Sequence, residues 1–340
     1  MFKKLFQAIY VSSLVICSVT SVRCQFRLND FPSSTKSYIG FRFDDDFLFL
    51  GNRDEQYTGG LEIDFLHQIK TKVKRNLFNP FSGGRRYFSV NFGSELYTPY
   101  NVSDSLIILN DRPFSSFIYT SFGLIAQSKT SSRKIIFDFY FGVMGSDLPG
   151  KIQDKIHTIG DSPPANGWNN KLMNTETILP NFRLIYQRNI LIVNHIKPTL
   201  FNSFGLKKIH FLNLGYYTSN LGIGLRSSLR SHFDSSEAKH TIQLKKPIKK
   251  SSKARWELYG QGLLELVGRN TSLQGLPWMD SPYTINRDEI IRHVWTIELG
   301  INLNYKQLYL NYHIKARSKE FIKYSKTWHS WASISIGRKI

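Results

Sequence analysis

Three aspartates in a row, Asp44, Asp45 and Asp46, are the residues of this 340-residue chain that most need a chemical explanation. Adjacent carboxylates repel one another, and a strand end gains nothing by carrying three of them. A hard cation such as Ca2+ would relieve that repulsion, because it takes several oxygen ligands from carboxylates and loop carbonyls. His157 is the second candidate, since a neutral imidazole can take a proton from water near physiological pH. Other arrangements are missing. The sequence has no His-Glu-x-x-His zinc motif, no Gly-x-Ser-x-Gly elbow, no phosphate loop and no complete dinucleotide fingerprint.

The elements that must position these residues read as β-strands. Tyr38 to Phe43 alternates apolar with small or charged residues, and Leu61 to Phe65 does the same. Trp295, Ile297, Leu299, Ile301 and Leu303 share one face, opposite Thr296, Glu298, Gly300, Asn302 and Asn304. Such strands put aliphatics into lipid and polar groups into a barrel interior. Strands are predicted near residues 37–49, 57–69, 85–97, 113–127, 132–146 and 175–188. The second half adds 207–217, 219–231, 253–266, 289–303, 306–318 and 327–338. Leu191-Ile192-Val193 is a possible further strand. The fold class is therefore all-β, a transmembrane antiparallel β-barrel of about 12 strands. A short helix is expected in an extracellular loop around Ile152–His157.

Composition agrees with that class. Residues 1–24 have the charged start and short apolar core of an export signal, and residues 25–340 form a single outer-membrane barrel domain. Cleavage near Cys24-Gln25 would remove Cys17 and Cys24, the only two cysteines. No other segment offers the roughly 18 apolar residues of a spanning helix. Aromatic residues make up 14% of the chain, with 17 Tyr and 25 Phe, which suits membrane-interface girdles. A secreted β-sandwich is the alternative. The net charge of +20 favours a leaflet of phosphorylated lipid over nucleic acid as partner in an exported protein. The basic run from Lys245 to Arg255 reads as a solvated loop on the periplasmic side.

Parity then orders the loops. With the amino terminus in the periplasm, connections after odd-numbered strands face outward, at residues 50–56, 98–112 and 147–174. Three unusual patches fall there or beside them. The first is Asp44-Asp45-Asp46 with Tyr57-Thr58-Gly59-Gly60. The second is Tyr97-Thr98-Pro99 with Asp111-Arg112-Pro113-Phe114. The third runs from Asp147 through Gln153 and His157 to Gly167-Trp168. Asp45 continues the Ile39, Phe41, Phe43 face and is expected at the outer rim, where a lipid would arrive. Asp111 and Arg112 read as an ion pair within their loop.

In this order and spacing the patches resemble the outer-membrane lipid A 3'-O-deacylase family, over residues 38–190. The family's Glu-Asn-Asp strand end stands here as Asp44-Asp45-Asp46, followed by Asp54 and Tyr57-Thr58-Gly59-Gly60. Its Gln-x-x-x-His and Gly-Trp blocks stand as Gln153 to His157 and Gly167-Trp168. The resemblance implies a twelve-stranded barrel with a Ca2+-dependent esterase site at its outward rim. There His157 activates water, and Asp45, Asp46 and Thr58 occupy the cation and substrate-positioning places. The implied substrate is the lipid A of lipopolysaccharide, cut at its 3'-linked acyl ester by a monomer. Asp45 departs from the family's Asn and Lys151 from an acidic position. The basic pair of the second outward loop is replaced by Val102-Ser103-Asp104-Ser105, with Lys151 or Lys155 as the other source of that charge. Two other classes remain open: an outer-membrane phospholipase with a serine nucleophile, and a non-enzymatic pore or binding barrel.

Overall fold

Strands whose outward residues are apolar and whose inward residues are mostly polar close here into one antiparallel ring. The computed structural model describes residues 36–46, 48–49, 55–70, 80–81, 84–106, 108–128, 133–159, 163–194, 201–231, 241–242, 254–279 and 281–340. The first strands are β1 (Ser37–Asp45), β2 (Gln56–Ile69), β3 (Arg85–Thr98), β4 (Ser115–Gln127) and β5 (Arg133–Met144). The middle of the chain supplies β6 (Thr177–Asn194), β7 (Ser203–Gly215), β8 (Thr218–Arg230) and the two-residue β9 (Thr241–Ile242). The last are β10 (Ala254–Asn270), β11 (His293–Tyr305), β12 (Leu308–Ser318) and β13 (Trp328–Lys339).

Each barrel strand pairs with its sequence neighbour, and β1 closes on β13 in register from Tyr38↔Lys339 to Asp45↔Ala332. Twelve strands make the ring. The thirteenth, β9, lies parallel to β6 at Ile192↔Thr241, beyond the point where β5 stops pairing. Leu191-Ile192-Val193 is thus the far end of β6, carried on past a bulge between Asn189 and Leu191, and not a separate strand. All twelve predicted strands are present. Closure matters physically because a bilayer offers no water to satisfy an open sheet edge.

The two faces of the wall differ as the alternation requires. Ile39, Phe41, Leu299, Leu303 and Leu310 are exposed, while Thr296, Glu298, Asn302, Asn311 and His313 are buried inside. The interior is held by charge-assisted bonds: Arg42 to Glu62 at 3.2 Å, Tyr119 to the same carboxylate at 2.6 Å and Arg183 to Asp138 at 2.9 Å. Toward the end where β1 begins and β13 stops, an apolar plug forms around Tyr38, Leu66, Ile125, Ile209 and Tyr309.

The described parts of the connections at the opposite end, within 46–55, 99–114, 145–176, 271–292 and 319–327, make up one rim. The predicted loop helix is there as α1 (Leu148–Ile159), followed by a 3-10 turn at Asn166–Asn170; a single-turn helix, α2 (Thr271–Gln274), follows β10. No helix among the described residues is long and apolar enough to cross a membrane. The export-signal segment, most of the basic run after Lys245 and Asp54 lie outside the described residues.

Candidate active site at the barrel rim

The aspartate triplet ends β1, and the two-residue period of a strand splits it. Asp44 points inward and is buried; Asp45 follows the outward parity and is half-buried; Asp46, just past the strand, is fully buried. Asp44 faces the Arg42 guanidinium at 3.1 Å and accepts from Tyr57 Oη at 2.9 Å and from Ser333 Oγ. Those contacts make it part of the interior network. Asp46 Oδ2 accepts the Glu55 amide at 3.0 Å, and the Asp46 amide donates to the Thr58 carbonyl at 3.3 Å. The structure therefore brings Asp46 and Thr58 together and turns Asp44 away.

Thr58 is placed by a bulge. Gln56 has a positive φ of 61°, and the β2–β3 register slips between Tyr57 and Gly59. A bulge re-aims side chains at a sheet rim. Here it sets Thr58 Oγ1 2.6 Å from Thr98 Oγ1, with both residues buried. The Tyr57 amide donates to His329 Nε2 at 3.1 Å.

The second patch locks onto the barrel from above. Arg112 has no solvent exposure; its Nη2 meets Glu320 Oε2 at 2.5 Å, its Nε donates to Gln56 Oε1 at 3.0 Å, and its guanidinium lies 4.6 Å above the Tyr97 ring. The expected ion pair within the loop does not form. Asp111 instead accepts the amides of Tyr100 and Arg112, as a turn-forming carboxylate does, and Arg112 finds its acid across the barrel mouth.

The third patch is built on that one. Phe114 packs against Trp168 at 5.3 Å between ring centroids, and Trp168 Nε1 donates to Gln153 Oε1 at 2.6 Å. Gly167 and Gly150 are needed for this approach, because a Cβ at either would collide with the Phe114 or Trp168 ring. One helical turn beyond Gln153 comes His157, also buried. Its Nδ1 lies 2.6 Å from the Pro163 carbonyl. A carbonyl can only accept, so Nδ1 carries a proton, and in the neutral ring the lone pair is on Nε2. A contact path thus runs from Thr58 through Thr98, Tyr97, Arg112 and the 99–114 loop to Phe114, Trp168, Gln153 and His157.

Two rim groups are shifted by their surroundings. Hydrogen bonding and charge from Lys171 hold the Asp147 carboxyl below its ordinary range, tying the two ends of the 145–176 loop. Burial, reinforced by Glu55, raises the Tyr324 hydroxyl. Among the described residues no three Asp, Glu, His or Cys side chains converge on one point. Among the described residues beside the strand end, the Asp46 carboxylate and the Thr58 and Thr98 hydroxyls are oxygen donors. That set suits a hard cation and no soft one.

The last hairpin was not anticipated as part of this rim. Glu320 binds Arg112, Arg317 and Asn270; Lys326 pairs with Glu55; His329 holds the bulge. The signal was in the topology, since a ring closed by β1 and β13 must set the 319–327 loop against the 46–55 loop.

A lipid-facing antiparallel ring with a polar, loop-built site at one end defines a transmembrane barrel protein of the outer-membrane type. The profile of the family described as outer membrane protein LpxR matches residues 9–340, and the chain belongs to that family. This bears out the resemblance read from the motifs. Among solved structures, LpxR from Salmonella typhimurium is 15% identical with a TM-score of 0.67, covering 89% of this chain and 100% of that one. The β domain of the Bordetella autotransporter BrkA is 9% identical with a TM-score of 0.42, covering 90% of this chain and 100% of that one. No curated protein matches the sequence.

Proposed function

We propose that this protein is a lipid A deacylase of the outer membrane, hydrolysing a 3'-linked acyl ester at a rim that faces the cell exterior. The observation that carries the reading is the contact of His157 Nδ1 with the Pro163 carbonyl. With its Nδ1 proton given to Pro163, Nε2 is the basic nitrogen, held rigidly on a helix that Trp168 anchors. His157 Nε2 takes a proton from water as that water attacks the ester carbonyl. The tetrahedral intermediate collapses, expelling the sugar oxygen, which receives the proton; free fatty acid and a sugar hydroxyl result.

Ca2+ is the cation we assign to the Asp46 and Thr58 end, with Asp45 at its outer side, where it would supply charge stabilisation for the developing oxyanion. Asp45 and Thr58 position the substrate's sugar. The substrate comes from the lipid side and not through the barrel. The cavity beneath the rim, lined by Glu95, Arg183, Tyr217 and Arg317, measures about 50 Å3, room for a few waters. The long connections at this rim support its outward orientation.

Mass spectrometry of lipid A from cells expressing the chain should show loss of a 3'-linked acyl group. His157→Ala should restore the intact mass, a fall in rate of about 10²–10⁴-fold. An unchanged spectrum from folded, exported wild-type protein overturns the reading.

A further inference from the structure

Helix α1 is built the wrong way round for a helix in water. A surface helix ordinarily buries its apolar stripe and shows solvent its polar face. In α1 the buried residues include Gln153 and His157, which tie the helix to Trp168 and to the Pro163 carbonyl. Leu148, Ile152, Ile156 and Ile159, spaced as one helical stripe, are all exposed, Ile156 at 52% and Ile159 at 87%. Leaving such side chains in water forgoes about 1.5–3 kcal/mol each. An exposed stripe of this kind marks a contact surface.

Two features identify what covers it. The first is continuity. Helix α1 starts just after β5, whose outward Phe139 and Phe141 belong to the lipid-facing band, and the same loop ends at β6 with Ile178, 68% exposed. The stripe therefore belongs to a loop that joins two strands whose outward apolar residues already face lipid. The second is charge. Lys151 and Lys155, one helical turn apart, are exposed along the flank of the stripe. An apolar face edged by lysines is the layout of a helix lying in a membrane interface, with its aliphatics about 5–10 Å into the acyl boundary and its ammonium groups among lipid phosphates.

We propose that α1 is an interfacial anchor: its Leu148–Ile159 stripe sits in the bulk leaflet beside the barrel, with Lys151 and Lys155 at the phosphate plane. Seated there, the helix carries His157 at the depth of an acyl ester instead of above the membrane. The proposal rests on the barrel's membrane placement and not on ester hydrolysis.

The test reads depth. The full chain with Cys17→Ser and Cys24→Ser is refolded into vesicles of phosphatidylethanolamine and phosphatidylglycerol free of lipopolysaccharide. It carries a fluorescent label at Ile152→Cys or Ile156→Cys on the stripe, or at Asp154→Cys or Thr158→Cys away from it. Only molecules with the heat-modifiable gel shift of a folded barrel are scored, and either stripe position suffices if the other misfolds. Nitroxide-bearing lipids should quench the stripe labels several-fold more than the other two, and aqueous iodide should do the reverse. Lys151→Gln with Lys155→Gln should at least halve that lipid quenching in anionic vesicles and leave it unchanged in zwitterionic ones. Equal quenching at all four positions overturns the proposal. Quenching that appears only after lipopolysaccharide is added overturns it in favour of substrate seating. Protection from both quenchers together with cross-linking between copies overturns it in favour of self-association. Loss of the deacylase reading would leave the quenching pattern untouched, so the two fail separately.

Discussion

At the scale of single residues, the outer two carboxylates of the triplet, Asp44 and Asp46, are assigned different work, and substitution separates them. Asp44 is engaged by Arg42, Tyr57 and Ser333 inside the wall. Asp44→Asn weakens bonds to a charged acceptor, each worth about 1.5–3 kcal/mol. The expected result is a lower urea midpoint for the folded barrel with little change in the Ca2+ concentration needed for activity. Asp46→Asn should do the opposite, keeping the midpoint close to wild type while raising the Ca2+ requirement at least tenfold. Calcium titration of both variants against lipid A release checks the pair. Equal calcium curves for the two would remove Asp46 from the cation site. The carboxylate cluster itself was plain in the sequence, but its division was not. Parity predicted that Asp45 faces outward; that Asp44 would be taken by Arg42 depended on side-chain geometry two positions away.

At the scale of elements, the loops hold their shape through pairs that join distant parts of the chain. Arg112 and Glu320 are 208 residues apart, and both are buried. Removing Glu320 leaves the Arg112 guanidinium buried without an acid, which costs about 3–5 kcal/mol, whereas Glu320 keeps Arg317 when Arg112 is removed. Glu320→Leu should therefore destabilise strongly, while the double change Arg112→Met with Glu320→Leu should cost less than the two single changes summed. Chemical denaturation of the four proteins in one detergent measures the coupling. A second pair, Asp147–Lys171, closes the helix-bearing loop and gives it a pH dependence. Its carboxyl is depressed in the folded state, so its contribution is present above the unfolded carboxylate's range and is lost as pH falls through the lower, folded value. On acidification, the Trp168 emission, taken as the difference from Trp168→Phe, should change below the ordinary carboxylate range. That transition should be absent in Asp147→Asn. Strands were legible because a two-residue alternation survives in any one segment. These clasps were not, because the partners of Arg112 and Asp147 are fixed only when the ring closes and the loops fold back.

At the scale of the whole molecule, the ring makes the first and last strands neighbours, and the site depends on that seam. The β1–β13 register runs from Tyr38↔Lys339 to Asp45↔Ala332, so the aspartate end of β1 is braced by Ala332 and Ser333. From the same hairpin, Lys326 pairs with Glu55, and His329 accepts the Tyr57 amide beside Thr58. Twelve strands and their faces followed from alternation, but the motif resemblance stopped near residue 190, short of everything that supports the rim from the seam. A chain ending before Trp328 would keep each motif residue and lose the wall behind the first patch. Its β1 edge would present unpaired backbone groups to lipid, each costing several kcal/mol, more in total than the marginal stability of a folded domain. The truncated chain should fail to show the heat-modifiable shift of a folded barrel and should release no acyl group from lipid A. Supplying residues 319–340 as a separate peptide during refolding should restore both in part, because the eight register pairs would again be available. A truncated chain that folds and cleaves lipid A by itself would show that the rim stands without its seam.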